Sequence, residues 1–404
     1  MRPAVIVVML TVMIDAMGIG LMVPVMPDLI RELNGGTLSQ AALWGGILTT
    51  SFAVMQFLFG PTMGSLSDRF GRRPVLLTSL MVMAADYVVM ALAGSIWLLF
   101  AGRIVGGITA ATQSTAYAYM ADISAPEERT KNFGLIGAGF GLGFVLGPLM
   151  GGLLAEYGTR APFWAAAALA FGNGLLGWVV LSETVVAEKV RAFDWRRANP
   201  LGAFRHLGKL PGVRLLLLVY FLYNVAFAVY PSVWSYFGQE RFGWSPAMIG
   251  ISLASFGFSM ALIQAGVIRL VVQRLGETGT VIFGHVFAIV TYLVIGLISS
   301  GTLALMLTPI SALAGVIPPA LSGMMSQRTP DDAQGELQGV LTSASSLAMI
   351  ISPIMMTSTF AYATSPGAPI YLPGAPFLLA LGLSVIALSI FTLHRNTAAR
   401  LEAQ

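Results

Sequence analysis

The stretch GSLSDRFGRRP at residues 64–74 sets Asp68 and the arginines Arg69, Arg72 and Arg73 into a short polar island. On one side runs AALWGGILTTSFAVMQFLFG, residues 41–60, and on the other VLLTSLMVMAADYVVMALAG, residues 75–94. About 20 apolar residues are what a helix needs to cross a bilayer. The island therefore reads as a membrane-edge turn between two spanning helices. Gly64 and Gly71 are expected to permit a tight turn and close packing. Asp68 among three arginines predicts local ion pairing. Gly64, Asp68, Arg69, Gly71, Arg72 and Arg73 together read as a gating motif rather than as a loop that merely fixes topology.

Outward from that island the same alternation continues. Spans can be drawn at 4–27, 42–63, 74–94, 97–120, 133–156, 160–181, 213–237, 244–270, 278–298, 301–324, 339–362 and 374–394. The chain is 56% hydrophobic and 10% charged, where soluble domains carry about 25% charged residues. No soluble core could hide so much apolar surface. The fold class is an all-α membrane protein with twelve transmembrane helices. Its 45 glycines suit close helix packing in lipid. Arg2 and the apolar run after it could pass for a signal peptide, but Asp15 and the lack of a small-x-small site favour an uncleaved first helix.

Basic residues gather in alternate connections. With both ends cytoplasmic, only Arg31, Arg160 and Arg241 fall outside and Arg103 falls within a span, which fixes the orientation by the positive-inside rule. That distribution, rather than the net +4, argues against nucleic acid as a partner. The one long polar connection, 183–212, separates an expected N-terminal six-helix bundle (1–182) from a C-terminal one (213–404). It reads as a cytoplasmic linker with room for one amphipathic surface helix. The halves look related: Gly134 and Gly339, Pro148 and Pro353, Arg69 and Arg274, and Gly71 and Gly276 all share an offset of 205. A parallel repeat of this kind fits two halves rocking about a midplane site.

Chemistry in such a chain concentrates where polarity is costly. A mid-membrane charge costs roughly 2.5–3.5 kcal/mol on the lenient scale. Asp15 lies about 11 residues into the first span and Asp86 lies 12 residues past Pro74. Both spans run the same way, so both acids sit about 16–18 Å from the cytoplasmic face at 1.5 Å per residue. Matched depth points to a proton relay. Arg103 lies about 9 Å from the outer end of the fourth span. It reads as a snorkelling arginine or as a cation facing the two acids. Gln56, Gln113, Asn224 and Gln264 are intramembrane polar groups, read as helix–helix glue or as substrate contacts. His285 is a satisfied polar residue or a substrate contact. In the fifth span, GAGFGLGFVLGPLMGG (137–152) sets Gly137, Gly139, Gly141, Gly147 and Gly151 around Pro148. Glycines at such spacings let helices touch backbone to backbone, and the proline breaks the hydrogen-bond ladder.

The loop at 64–74 resembles the signature loop of the major facilitator superfamily. The fifth-span glycines resemble the motif of its antiporters, and Arg103 resembles the arginine the superfamily links to proton coupling. DAMGIGLMVPVMPDLIREL, AGRIVGGITAAT, RFGWSPAMIGISLA and QGELQG extend the resemblance nearly end to end to the bacterial tetracycline efflux proteins. That implies the major facilitator fold and a drug:proton antiporter of the bacterial inner membrane. In that family the drug leaves as a complex with a divalent metal in exchange for a proton. The resemblance implies no cofactor beyond the proton gradient, and a divalent metal only as part of the substrate. Asp15, Asp86, Arg103, Asp68 and Arg69 match the family position by position, as do the polar positions Gln56 and Gln264. Met260 stands where the family has a histidine and Ala288 where it has an acid, so the cavity is expected to lose two polar anchors.

With no cysteine and only three histidines, His206, His285 and His394, a disulfide framework and a protein-held metal site are not expected. No nucleophile–base constellation marks an enzyme. The expected partners are a small-molecule substrate, protons and the lipid bilayer, with the chain a monomer. A proton-coupled symporter for uptake of a small organic solute is the alternative, which the antiporter-like glycines disfavour.

Overall fold

The apolar runs become helices because a backbone in lipid must satisfy its own hydrogen bonds. The computed structural model describes residues 3–110, 112–185 and 212–402. The helices are α1 (Pro3–Met22), α2 (Met26–Asn34), α3 (Leu38–Phe70), α4 (Arg72–Leu92), α5 (Ile96–Thr109), α6 (Thr112–Ile123), α7 (Arg129–Leu154) and α8 (Ala161–Val180). They continue as α9 (Arg214–Phe227), α10 (Val229–Phe242), α11 (Pro246–Leu262), α12 (Ile268–Leu297), α13 (Gly301–Ser311), α14 (Ile317–Gln327), α15 (Gln334–Thr364) and α16 (Ala375–Glu402). Eleven helical runs among the described residues are long and apolar enough to span a membrane. Most of the linker expected at 183–212 lies outside the described residues, so the expected surface helix does too.

The chain divides into two compact units. The first comprises 1–37, 47–200 and 244–254, and the second 38–46, 201–243 and 255–404. In the first, α1 packs along α7 and α8, and α4 packs against α8, α5 and α6. Val8 and Val12 of α1, Leu76 and Leu80 of α4, Tyr119 of α6 and Ile136 of α7 form its core. In the second, α9 packs on α15 and α16, and α12 on α14 and α16. Leu216, Val281, Leu321, Leu337 and Phe391 anchor that core.

The 205-residue offset reappears in the local structure. Ser95 caps α5 and Ser300 caps α13, each accepting from the backbone N–H three residues on at 3.4 Å. One-turn 3₁₀ helices at Pro126–Glu128 and Asp331–Ala333 lead into α7 and α15. Gly71 and Gly276 both have positive φ, which side-chain-bearing residues rarely adopt.

Several details depart from the expected spans. The first ends near Met22, and α2 follows where a loop was expected. Pro27 and Asp28 both stand in its first turn. The proline is preset for a helix, and the acid favours the positive helix start. A π turn at Ile263–Val267 separates α11 from α12, and a 3₁₀ stretch at Ala312–Val316 separates α13 from α14. These two irregular stretches touch each other.

Candidate functional site

In the first unit a cavity of about 70 Å³ gathers Asp15 from α1, Gln56 from α3, Ser79, Asp86 and Tyr87 from α4, Arg103 from α5 and Gln113 from α6. Asp86 is 5% exposed and Arg103 8%. Arg103 Nη2 donates to Asp86 Oδ2 and lies 3.0 Å from Met90 Sδ. Its guanidinium stands 5.1 Å from the centre of the Phe52 ring, a cation–π arrangement. The arginine is therefore not snorkelling to the interface; it faces the acid. Asp86 Oδ1 and Arg103 Nε are buried with no hydrogen-bond partner among the described residues. Asp15 is half-buried and has no ion-pair partner among them.

Two glycines make room for this pair. A methyl group at Gly102 would stand 2.6 Å from Asp86 Oδ1, and one at Gly106 2.8 Å from Oδ2. They lie one turn apart on α5 and flank Arg103, so the carboxylate beds directly on the helix backbone. Sequence reasoning missed them, although the spacing in AGRIVGG carried the signal. It also missed Ser79 and Tyr87. Ser79 precedes Asp86 by two helical turns and so shares its face.

The signature loop is a closed polar network. Arg72 Nη1 pairs with Asp68 at 2.5 Å, and its Nε lies 3.4 Å from Asp122 Oδ2. Glu183 accepts from the backbone N–H of Arg72 at 2.9 Å. It accepts from that of Arg73 at 3.2 Å. Both N–H groups belong to the positive start of α4. Arg73 donates to the Trp178 carbonyl at 2.7 Å. The Glu183 carboxylate occupies the space a side chain at Gly71 would need. Asp122 and Glu183 escaped the sequence reading because each stands far from the motif in the chain. Arg69 lies outside the network, over the ring of Phe70 at 5.1 Å. Gly64 is a correction: it sits inside α3, and a methyl group there would meet nothing, so neither turn nor packing requires it.

The glycines of α7 divide the same way. Methyl groups at Gly139 and Gly147 would stand 2.8 Å from the Met9 carbonyl oxygen and 2.6 Å from that of Met17. Those at Gly143 and Gly151 would collide with the carbonyls of Met13 and Leu21. One glycine every fourth residue thus meets one carbonyl every fourth residue of α1. Gly137 and Gly141 face open space and take no part. Gly143 belongs to the ladder although the sequence reading had not singled it out. Pro148 sits inside α7 against Gly20.

The second unit has its own cavity, about 500 Å³, lined by Tyr223, Asn224, Phe227, Met260, Gln264 and Ser322 among others. Tyr223 and Phe227 stack at 5.6 Å. Asn224 donates to the Tyr220 carbonyl at 2.7 Å, and Gln264 comes from the π turn. His285 does not reach this cavity. It is fully buried behind Tyr223, edge to face at 6.2 Å, and neither ring nitrogen has a partner among the described residues. The satisfied histidine expected from sequence is therefore not found. Ala288, 1% exposed, packs into the helix interface rather than the cavity. Of the two substituted family positions, only Met260 lines it.

A buried acid–arginine pair, a second acid in the same cavity and a charged loop on a helical membrane scaffold define a solute transporter rather than an enzyme. The family model of the Major Facilitator Superfamily matches residues 8–353. The chain is 41% identical over 383 residues to the class C tetracycline resistance protein of Escherichia coli, covering 93% of this chain and 96% of that one. The class G tetracycline resistance protein of Vibrio anguillarum is 38% identical over 360 residues, covering 89% and 91%. Among solved structures, a mutant of the nucleoside transporter NupG superposes with a TM-score of 0.80 at 13% identity, covering 97% of this chain and 99% of that one. The chain belongs to the major facilitator superfamily, among its drug efflux transporters.

Proposed function

We propose that this chain is a proton-coupled antiporter of the bacterial inner membrane, exporting tetracycline-like or other amphipathic drugs or metabolites by alternating access. The observation that carries this reading is the Asp86–Arg103 pair sharing one cavity with Asp15. Removing two opposite charges from water costs several kcal/mol per ion. An unpaired acid beside such a pair gives the chain two inequivalent carboxyls, one held by a cation and one open to exchange a proton. Protonation from outside releases substrate, and deprotonation toward the cytoplasm restores affinity. The gradient supplies the work: one charge crossing 100 mV is worth about 2.3 kcal/mol.

In this reading the helical run Pro246–Leu297 counts as two spans. It has 52 residues, and its backbone breaks at Gly276. At a rise of about 1.5 Å per residue it would reach more than twice the thickness of a bilayer's apolar core, about 30 Å. Twelve spans follow, in two six-helix halves with both termini cytoplasmic, working as a monomer. Asp15, Asp86 and Arg103 couple protons. Gln56, Gln113, Asn224, Met260 and Gln264 contact substrate. The loop at 64–74 gates, and a divalent metal enters only with the drug. Inverted membrane vesicles carrying a pH-sensitive dye test this reading. Adding tetracycline with Mg²⁺, or an amphipathic drug from a resistance panel, should release protons from acidified vesicles. Proton movement in the opposite direction would mean a symporter, and none with any compound tried would end the reading.

A further inference from the structure

The cavity that holds Asp15 and Asp86 is also lined by the hydroxyl-bearing residues Ser79, Tyr87, Thr109 and Thr112, of which Thr109 donates to the Val105 carbonyl of its own helix. Tyr87 is 2% exposed. Its hydroxyl rests on the backbone of Gly18 in α1, where even a methyl group would collide with it. Gly18 follows Asp15 by one turn, and Tyr87 and Asp15 line the same cavity. Tyr87 follows Asp86 on α4, where consecutive side chains diverge by about 100°, so what connects their groups is the cavity that both line. Asp86 gives Oδ2 to Arg103 and keeps Oδ1 buried without a partner among the described residues. Ser79 Oγ, likewise buried and unpartnered among them, lines the same cavity two turns away. No hydrogen bond joins the two acids directly among the described residues. The cavity's volume of about 70 Å³ has room for about two waters at roughly 30 Å³ each.

We propose that Tyr87 relays a proton between Asp15 and Asp86, with water in the cavity completing the path. The proton leaves the Asp15 carboxyl for the phenol oxygen, directly or through one water, and the phenol's own proton passes to Asp86 Oδ1. Asp15 ends as a carboxylate, Asp86 as a neutral acid still bonded to Arg103 through Oδ2, and Tyr87 as it began. The return transfer runs the same way backwards. Arg103 from α5 is the only other charged group facing the cavity among the described residues. From α3 and α6 come Gln56 and Gln113, and from α7 Phe140. Asn173 of α8 does not line the cavity; its Oδ1 accepts from Thr11 at 3.2 Å, and its Nδ2 is buried without a partner among the described residues. On α6 the Tyr119 hydroxyl donates to the Ser182 carbonyl at 2.8 Å, and Asp122 belongs to the Arg72 network.

The proposal rests on Asp15 and Asp86 being the coupling acids, and the test separates the two claims. The full chain in proteoliposomes is given a pH jump, and its carboxyl bands are followed by time-resolved infrared spectroscopy. Asp15→Asn and Asp86→Asn assign the bands. Tyr87→Phe keeps the ring and its packing and removes only the hydroxyl. Both acids should still titrate in it, while transfer between them slows about tenfold or more, as loss of a positioned proton carrier predicts. Ser79→Ala should slow transfer less. Gly18→Ala should slow it by displacing the hydroxyl. Combining Gly18→Ala with Tyr87→Phe should relieve the clash and restore thermal stability without restoring the rate. Transfer at the parent rate in Tyr87→Phe, or recovery of the rate in the combined variant, overturns the relay while leaving the coupling acids in place. If neither Asp→Asn change removes a titrating band, the coupling assignment falls and the relay falls with it.

Discussion

Asp86 and Arg103 are each tolerable in an apolar span only because of the other. Removing one partner of a buried pair leaves an uncompensated charge and costs about 3–5 kcal/mol. Arg103→Ala should therefore lower thermal stability by about that much. The double change Asp86→Asn with Arg103→Gln should recover most of it, because an amide pair needs no countercharge. Equal losses in the single and double variants, measured by thermal unfolding in detergent, would show that the ion pair is not what the site depends on. Function should separate from stability. Asp15→Asn and Asp86→Asn both lose titration, so substrate-driven proton movement should vanish in both, but only Asp15→Asn should keep the parent's stability, because Asp86→Asn leaves Arg103 without its countercharge. Transport by both at the parent rate across pH 6–8 would remove them from coupling. Asp15, Asp86 and Arg103 were legible in the sequence because a charge in a hydrophobic run stands out. Gly102, Gly106, Ser79 and Tyr87 were not, because small and weakly polar residues are common in such runs and acquire meaning only from what lies opposite.

At the scale of elements, the α1–α7 seam makes a graded prediction. The methyl of Gly143→Ala meets the Met13 carbonyl. That change should destabilise by about 1–3 kcal/mol, the usual cost of overpacking. Gly137→Ala and Gly141→Ala should be neutral or slightly stabilising, since alanine is the better helix former. Thermal unfolding of the three variants decides it, and equal effects would remove the ladder as their cause. At the start of α4, Glu183→Gln should weaken the cap by about 1 kcal/mol. It should also free Arg72 and Arg73 to be cut faster by trypsin, and an unchanged digestion rate would argue against the cap. Spans and their order were readable from hydropathy. Helix breaks were less so: α2 hid behind Pro24 and Pro27, and the π turn at Ile263–Val267 has no marker in an apolar stretch. The loop at 64–74 was recognisable as a motif, but its partners Asp122 and Glu183 come from distant positions, which a local reading cannot pair.

For the whole molecule the question is which state the charged loop favours and what the larger cavity accepts. Asp68→Asn should reduce transport while leaving substrate affinity intact, because loss of the Arg72 pair shifts a conformational balance rather than a binding contact. Such couplings are typically about 1–3 kcal/mol. Parallel losses of binding and transport would place Asp68 in the site instead. Substrate choice should follow Met260. With no charged side chain lining the second unit's cavity among the described residues, a metal-chelated cationic drug finds no countercharge there, so tetracycline resistance should be weak. Met260→His should raise it. Ala288→Asp should act differently, by giving buried His285 a hydrogen-bond partner one turn away, and so should change stability more than drug choice. Growth across a drug panel, set beside thermal unfolding, checks both. Strong tetracycline resistance in the parent, unchanged by Met260→His, would assign drug recognition to the first unit alone.

The glycine ladder also restricts how α1 can ever move. Its four contacts repeat every fourth residue on both helices, so they act like the teeth of two matched racks. A slide of one or two residues would lift every carbonyl out of its glycine gap at once. A slide of four residues, about 6 Å at 1.5 Å per residue, would re-engage all but the last. Gradual shear along this seam is therefore closed to the protein. Asp15, seated between the Met13 and Met17 teeth, travels with α7 as one piece, and whatever exposes it to one side of the membrane and then the other must carry both helices together. Deleting a single residue from 14–16 would leave the Met9 and Met13 contacts meshed and throw those of Met17 and Leu21 out of step, whatever the deleted side chain.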